Sequence, residues 1–324
     1  MKVTYLYRPL RPGGFSIEEV FSNVRKHVTE PVQQAEWFVN GAKGLPGNIK
    51  DVAKIRSDIF HITGDCNYLA LNLPPARTIL TVHDVGHYEI TLKGWRKQVY
   101  KALWWKLPLS RVKTITAISG FTKKRLVANF GIVPDKIKVI YDPAPVGFFK
   151  DEKKLNRSYP RILQIGSGIN KNLDRLIDAV EGLPCKLVLV NRLNDELKNK
   201  LREKNIDFEQ HVDLSRDEMI TQYRQCDIVY FASLYEGFGL PIVEAQTIGR
   251  PVITSNICSM PEIAGDGAII INPYNVNDIR KAITDFVSSD TLADDIVDRG
   301  FDNVRRFAPE KIAKDYMAIY QSLV

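Results

Sequence analysis

The chain has 324 residues, is 44% apolar and 26% charged, and holds no low-complexity tract, so it can bury two medium hydrophobic cores and two domains are expected. No apolar run approaches the roughly 18 residues that cross a bilayer, and the opening Met1–Tyr7 stretch is broken by Arg8-Pro9 too soon for a signal peptide; a protein made and kept in the cytoplasm is predicted. The net charge of +7 is unevenly divided: residues 1–145 carry 22 Lys and Arg against 11 Asp and Glu, and residues 146–324 carry 23 against 27, so the first half stands at +11 and the second at −4.

Short β-rich apolar runs alternate with helical patterns, which predicts parallel sheets covered by helices. In the first half the expected strands are Val3–Tyr7, Ile59–Ile62, Thr78–His83 and Thr114–Ile118. Between Thr91 and Lys113, the segment Gly94–Lys106 mixes Trp and Tyr with cations. It reads either as a helix lying in a membrane interface or as one that packs its aromatics while its lysines snorkel. Between Pro143 and Pro160 the pattern dissolves into a charged, proline-punctuated stretch that reads as a linker. A second series follows at Arg161–Ile165, Lys186–Val190, Ile228–Tyr230, Val252–Thr254 and Ala268–Ile271. Phe307-Ala308-Pro309-Glu310 then opens a last helix with an apolar stripe. Cys66, Cys185, Cys226 and Cys258 are scattered without a C-x-x-C pair and read as reduced structural thiols, not as a zinc cluster. Ligands of two such α/β units are expected at loops that follow strands.

The most informative of those loops is Ala232–Ala245. It leaves an apolar strand, passes Gly237-Phe238-Gly239-Leu240, and enters a helix with Pro241 in the first turn, where proline costs nothing. Backbone N–H groups and the positive dipole end at such a terminus suit a phosphate. Glu236 on the loop could reach a neutral polyol, and Glu244, about one turn into the helix, could accept both hydroxyls of a ribose; the plainer reading is that both carboxylates merely complement the helix terminus.

Two glutamates eight positions apart around Gly-Phe-Gly-Leu-Pro resemble the donor-site motif of the retaining glycosyltransferases of family 4, which have the GT-B fold. Gly13-Gly14, Thr81-Val82-His83-Asp84, Ala117–Lys124, and Gly166 followed by Lys171-Asn172 match in the same order. The resemblance implies an α/β GT-B fold of two Rossmann-like domains facing a cleft: an acceptor domain over 1–145, a donor domain over 155–305, and a helix over 306–324 returning to the first. It implies transfer of a sugar from a UDP- or GDP-sugar to an acceptor hydroxyl with retention, without metal or other cofactor, in glycan, polysaccharide or glycolipid assembly. Glu236 would bind the donor sugar, Glu244 the ribose, and Lys171 the diphosphate. Gly13, Gly14, Gly166, Gly237, Phe238, Gly239 and Leu240 would line the donor, and His83 would face the sugar near its anomeric carbon. A departure is the stretch Gly166-Ser167-Gly168-Ile169-Asn170, where many members have an arginine; Ser167 or the Gly168 backbone could substitute, while Arg175 lies further along and could be a packing or solvent-facing residue.

Three rival readings stay open. An NAD(P)-dependent oxidoreductase would use Gly166-Ser167-Gly168 as its turn, but Lys171 stands at the third glycine of G-x-G-x-x-G and the next strand ends Val190-Asn191-Arg192 without the ribose-binding acid. A nucleic-acid partner lacks any recognition motif beside the charge. A GT-B scaffold without activity is opposed by the presence of both glutamates, Lys171 and His83. The expected partners are a nucleotide-sugar donor, a glycan or lipid-linked acceptor, and a weak, salt-sensitive contact with an anionic membrane, peripheral at its inner face.

Overall fold

The computed structural model describes residues 1–9, 16–166, 168–289 and 291–324, which form two compact units, one of Met1–Pro143 with Phe307–Val324 and one of Ala144–Arg306. The first holds a six-stranded parallel sheet of β1 (Lys2–Tyr7), β2 (Gln33–Phe38), β3 (Ile59–Ile62), β4 (Thr78–Val82), β5 (Thr114–Ala117) and β6 (Ile137–Val139), in the order β2-β1-β3-β4-β5-β6. The second holds β7 (Arg161–Ile165), β8 (Lys186–Val190), β9 (Asp207–His211), β10 (Ile228–Phe231), β11 (Val252–Ser255) and β12 (Ile269–Ile271), in the order β12-β11-β10-β7-β8-β9. Central strands such as Ile-Phe-His-Ile and Ile-Val-Tyr-Phe are buried at every position, as strands covered on both faces by helices must be.

The strands not anticipated from the sequence are β2, β6 and β9, and all three lie at sheet edges. Their residues, Gln-Gln-Ala-Glu-Trp-Phe and Asp-Phe-Glu-Gln-His among them, are mixed and half-exposed because one side faces water. Strand ends also differ by a residue: His83 and Ile118 lie just past β4 and β5, and Ala268 precedes β12. The stretch from Pro143 to Pro160 has no helix or strand, yet it is not a loose linker. Asp227, 1% exposed in its side chain, accepts from Lys153 Nζ at 2.7 Å and from the backbone N–H of Asn156 and of Arg161 at 2.9 Å each. Buried Arg250 pairs with the Asp151 carboxylate and also donates to the carbonyls of Asp151, Tyr223 and Arg224.

On one face of the Gly94–Lys106 segment the packing reading holds. Trp105 is buried and stacks on Phe130 at 5.1 Å, and Trp104 lies between Tyr68 and Tyr100. All four cysteines are free, three of them buried. No helix among the described residues is long and apolar enough to cross a membrane.

The last helix, Pro309–Ser322, buries Ile312, Ala313, Tyr316, Ile319 and Tyr320 in the first unit. A buried polar chain fixes it to the sheet: the Tyr320 hydroxyl is 2.8 Å from His61 Nδ1 and 3.2 Å from the Tyr5 hydroxyl. His61 Nε2 is 2.7 Å from Thr81 Oγ1, which is 2.6 Å from Thr116 Oγ1. Burial, with a smaller repulsion from His83, pushes the His61 imidazole from 6.5 down to about 3. The unfolded chain therefore takes up this proton first. The stability that neutral His61 contributes is full above pH 6.5 and is lost as pH falls from there toward 3. Urea unfolding should show roughly 2–3 kcal/mol lost through this group between about pH 7.5 and about pH 4.5. His61→Gln, which cannot take the charge, should flatten the pH profile by that amount; equal slopes in the two proteins would overturn the assignment.

Candidate functional site

The order of the second sheet reverses between β7 and β10, where the loops following the two strands diverge and leave a crevice. The residues singled out in that unit sit on those two loops. After β7 the chain turns through Gly166 at φ +97, a conformation that a side chain would strain, and a Cβ there would lie 2.8 Å from Lys171 Cε. The lysine stem thus runs over the bare face of the glycine. Lys171 ends a short 3-10 turn, Ile169–Lys171, and its Nζ is 2.6 Å from Glu236 Oε1 and 4.9 Å from the centre of the Phe231 ring. Asn170 Nδ2 also donates to Glu236 Oε1, at 3.3 Å. The two charged side chains are only about a fifth exposed, 23% and 18%, so they meet in a partly desolvated setting.

From the end of β10 at Phe231 the chain leaves the sheet and runs as a loop to Phe238, and side chains of neighbouring segments take over the carbonyls. Thr254 Oγ1 donates to Phe231 O at 2.8 Å, Asn172 Nδ2 to Ala232 O at 3.2 Å, Ser255 Oγ to Ser233 O at 2.9 Å, and Asn170 Nδ2 to Tyr235 O at 3.2 Å. The Cys258 thiol lies 3.6 Å from Leu234 O. The Ser259 hydroxyl closes the series, 2.6 Å from Phe238 O and 3.0 Å from Glu236 O. The chain then passes Gly239 at φ +117 into the helix Leu240–Ile248, with Pro241 in its first turn and no side chain capping the terminus. Such a terminus keeps its positive dipole end for an anion.

Glu244, half-buried in this helix, accepts at 2.5 Å from the hydroxyl of fully buried Tyr223. Burial raises its carboxyl, opposed by the Tyr223 hydrogen bond and by the charge of Arg216. Arg216 is itself placed by donating to Val146 O and lying 5.6 Å from the Phe148 ring. The other Glu244 oxygen has no hydrogen bond among the described residues and remains an acceptor.

Gly166, Lys171, Glu236, Gly237, Phe238, Gly239 and Leu240 are thus brought together, with Glu244 further along the same helix. Gly13, Gly14 and Ser167 lie outside the described residues. His83 belongs to the first unit. Its Nε2 is 2.7 Å from Thr63 O, which can only accept, so Nε2 carries the hydrogen and Nδ1 is left as an acceptor in the neutral ring. Arg175 does not reach the Lys171 site: it donates to Asn172 Oδ1 at 2.9 Å and lies 5.4 Å from the Tyr274 ring. A pocket of 220 Å³ opens beside Gly166, lined also by Ile169, Asn191, Arg192 and Leu193. No group of three or more His, Cys, Asp or Glu among the described residues is placed to hold a metal ion. Sequence reasoning missed Asn170, Ser259, Tyr223 and Arg216. Ser259 and Asn170 had one usable signal, a polar residue in a loop that follows an apolar strand.

Two Rossmann-like units of parallel strands with a final helix on the first define a GT-B protein, and the comparisons agree. The profile of Glycosyltransferase Family 4 matches residues 3–146, and that of Glycosyl transferases group 1 matches residues 147–302. The chain is 34% identical over 275 residues to O-antigen chain mannosyltransferase B of Escherichia coli, covering 76% of this chain and 71% of that one. It is 25% identical over 340 residues to MMP alpha-(1->4)-mannosyltransferase of Mycolicibacterium hassiacum, covering 96% of this chain and 80% of that one. The crystal structure of Anabaena HepE in complex with UDP-glucose superposes with a TM-score of 0.81 at 17% identity, over 99% of this chain and 100% of that one, which is a likeness of fold. The chain belongs to the family 4 glycosyltransferases of the GT-B fold.

Ser259→Ala removes the hydroxyl shared by two loop carbonyls and leaves them buried without that donor, at a cost of roughly 1–3 kcal/mol. The expected result is a lower unfolding midpoint together with weaker binding of a sugar nucleotide, because the same loop carries Glu236. A midpoint and an affinity both equal to wild type would show that the loop holds its shape without Ser259.

Proposed function

We propose that this glycosyltransferase takes its sugar from a nucleoside diphosphate donor, UDP- or GDP-linked, and transfers it with retention to a hydroxyl of a glycan or lipid-linked acceptor in polysaccharide assembly. The observation that carries this reading is the Lys171–Glu236 pair lying over Gly166 beside an uncapped helix terminus, which offers a cation, backbone amides and a dipole to a diphosphate and a carboxylate to sugar hydroxyls. Mannose is the proposed sugar, supported by the names of the two relatives above.

As the bond between the anomeric carbon and the diphosphate oxygen breaks, negative charge grows on the departing diphosphate and Lys171 meets it. The acceptor oxygen bonds to the anomeric carbon on the same face, and its proton passes to the departing phosphate oxygen, the route that the family resemblance implies. Glu244 accepts from the ribose, and Tyr223 holds its carboxylate in position. Before the donor arrives Lys171 and Glu236 neutralise each other. The diphosphate competes for the ammonium and releases Glu236 to the sugar. His83 keeps the catalytic role that the resemblance implies. A non-catalytic scaffold would hydrolyse none of a panel of sugar nucleotides, and that panel also identifies base and sugar.

Glu244→Ala and Glu236→Gln separate the two carboxylates by calorimetry. The first should weaken binding of nucleoside diphosphate and of sugar nucleotide alike, by roughly 1.5–3 kcal/mol for each charge-assisted hydrogen bond lost. The second should weaken the sugar nucleotide alone. Nucleoside diphosphate should bind Glu236→Gln as well as wild type or better, because Lys171 no longer shares its charge with a carboxylate. If both ligands lose affinity equally in Glu236→Gln, that residue is only a loop-stabilising one.

Electrophilic help from Lys171 and the amides predicts that Lys171→Ala lowers turnover at saturating donor by tenfold or more, about 1.4 kcal/mol or more of transition-state stabilisation, while EDTA leaves wild-type activity intact. Activity that EDTA abolishes and magnesium or manganese restores would overturn the metal-independent mechanism.

A further inference from the structure

In the first unit, Gly94–Arg111 forms one continuous helix. α-Helical turns at Gly94–Tyr100 and Leu107–Arg111 flank a widened π-helical stretch, Lys101–Lys106, in which the Leu107 N–H bonds to the Ala102 carbonyl. Its inner face is the aromatic packing of Trp104 and Trp105 described above. Its outer face carries Trp95, Val99, Leu103 and Leu107 at four-residue spacing, exposed by 73, 47, 59 and 50%. In a regular α-helix of 3.6 residues per turn a four-residue row drifts by about 40° at each step. The wider π stretch advances less per residue and holds the row in line.

The sequence that carries this row is strongly basic. From Ile90 through Pro134 the chain has ten Lys and Arg and no Asp or Glu. Glu89, the acid just before, is already held by Arg125 and Asn129. The next member of the four-residue row is Arg111, and it lines a groove of 660 Å³ with Lys2, Arg56, Arg77 and one acid, Asp58, whose carboxylate accepts from the Lys2 backbone N–H at 2.7 Å. Arg56, Arg77 and Arg111 make no ion pair among the described residues.

We propose that this face docks on an anionic lipid bilayer, with Trp95, Val99, Leu103 and Leu107 at the boundary between headgroups and acyl chains and the groove arginines taking lipid phosphates. An apolar row in a segment with ten cations and no acid, beside a groove where four cations face one acid, fits a surface of opposite charge. It does not fit a second copy of the chain, because a two-fold interface is self-complementary and would set these cations against one another. The proposal is independent of the donor reading above, since none of its residues belongs to the donor loop.

Vesicle sedimentation tests it, using the full chain with phosphatidylcholine vesicles and with vesicles rich in phosphatidylglycerol, at about 50 mM and about 500 mM salt. Wild type should partition at least tenfold more strongly to the anionic vesicles at low salt and lose that preference at high salt. The double variant Trp95→Ser/Leu103→Ser and the charge variant Arg77→Glu should each lower partitioning about tenfold, with unfolding midpoint and sugar-nucleotide hydrolysis unchanged. Equal binding to both lipids, no binding, or variants that sediment as wild type does would overturn the proposal. So would a dimer in sedimentation velocity that Trp95→Ser/Leu103→Ser dissolves, which would give the face to a second copy.

Discussion

A chain that leaves a β-sheet must find new partners for the carbonyls that the ladder no longer serves, and the loop after β10 meets this constraint residue by residue. Thr254, Asn172, Ser255, Cys258, Asn170 and Ser259 accompany the carbonyls of Phe231 through Glu236 and of Phe238. Buried carbonyls without donors cost free energy comparable to a lost hydrogen bond, so six short side chains from two neighbouring segments hold the loop in one shape. The position of Glu236 follows from that shape. Its backbone is fixed by Ser259, its side chain is approached by Asn170 and Lys171, and the helix carrying Glu244 begins directly after it.

The same economy of short polar groups serves the irregular backbone elsewhere in that unit, but with charges. Asp227 and Arg250 are almost wholly buried, and each ties a stretch with no regular structure to the regular elements beside it: Asp227 bonds to the N–H of Asn156 and of Arg161 in β7, and Arg250 to the carbonyl of Asp151 and to those of Tyr223 and Arg224. An ionised group in the interior is costly unless paired and hydrogen-bonded on its remaining atoms. Both conditions are met here, which is why a sequence as charged as Asp151–Arg157 can be part of a folded unit. The Lys171–Glu236 pair differs in kind. Neither partner is fully buried, and neither is locked by other charges, so an incoming anion can draw the lysine away without leaving an uncompensated interior charge.

The fold class was legible because parallel strands covered on both faces are predominantly apolar, and the runs at Ile59–Ile62, Arg161–Ile165 and Lys186–Val190 carry that pattern, interrupted inside only by the buried His61 and Gln164. The edges were not legible. β2 and β9 mix polar residues with a few aromatic ones in no regular alternation, and nothing in six residues such as Gln33–Phe38 separates an edge strand from a loop. The loop residues of the site were visible through their glycines and carboxylates. Their support was hidden, because Tyr223, Arg216 and Ser259 act through pairings tens of residues apart in the chain. Arg175 illustrates the limit from the other side: a cation near the expected site by sequence is turned away by its bond to Asn172 and its ring contact with Tyr274.

The helix Gly94–Arg111 shows why composition alone left two readings standing. A helix in which aromatic, aliphatic and basic residues alternate has no single polar face in a 3.6-residue projection, and such a pattern fits either burial or an interface. The backbone removes the ambiguity by widening at Lys101–Lys106. That change in pitch separates Trp104 and Trp105, which turn inward to Tyr68, Tyr100 and Phe130, from the four-residue row, which stays on the outside. Two apolar faces on one helix then need two different surroundings. The inner one is supplied by the core of the first unit, and the outer one, in a segment with ten Lys and Arg and no Asp or Glu from Ile90 through Pro134, is the face proposed to meet an anionic bilayer.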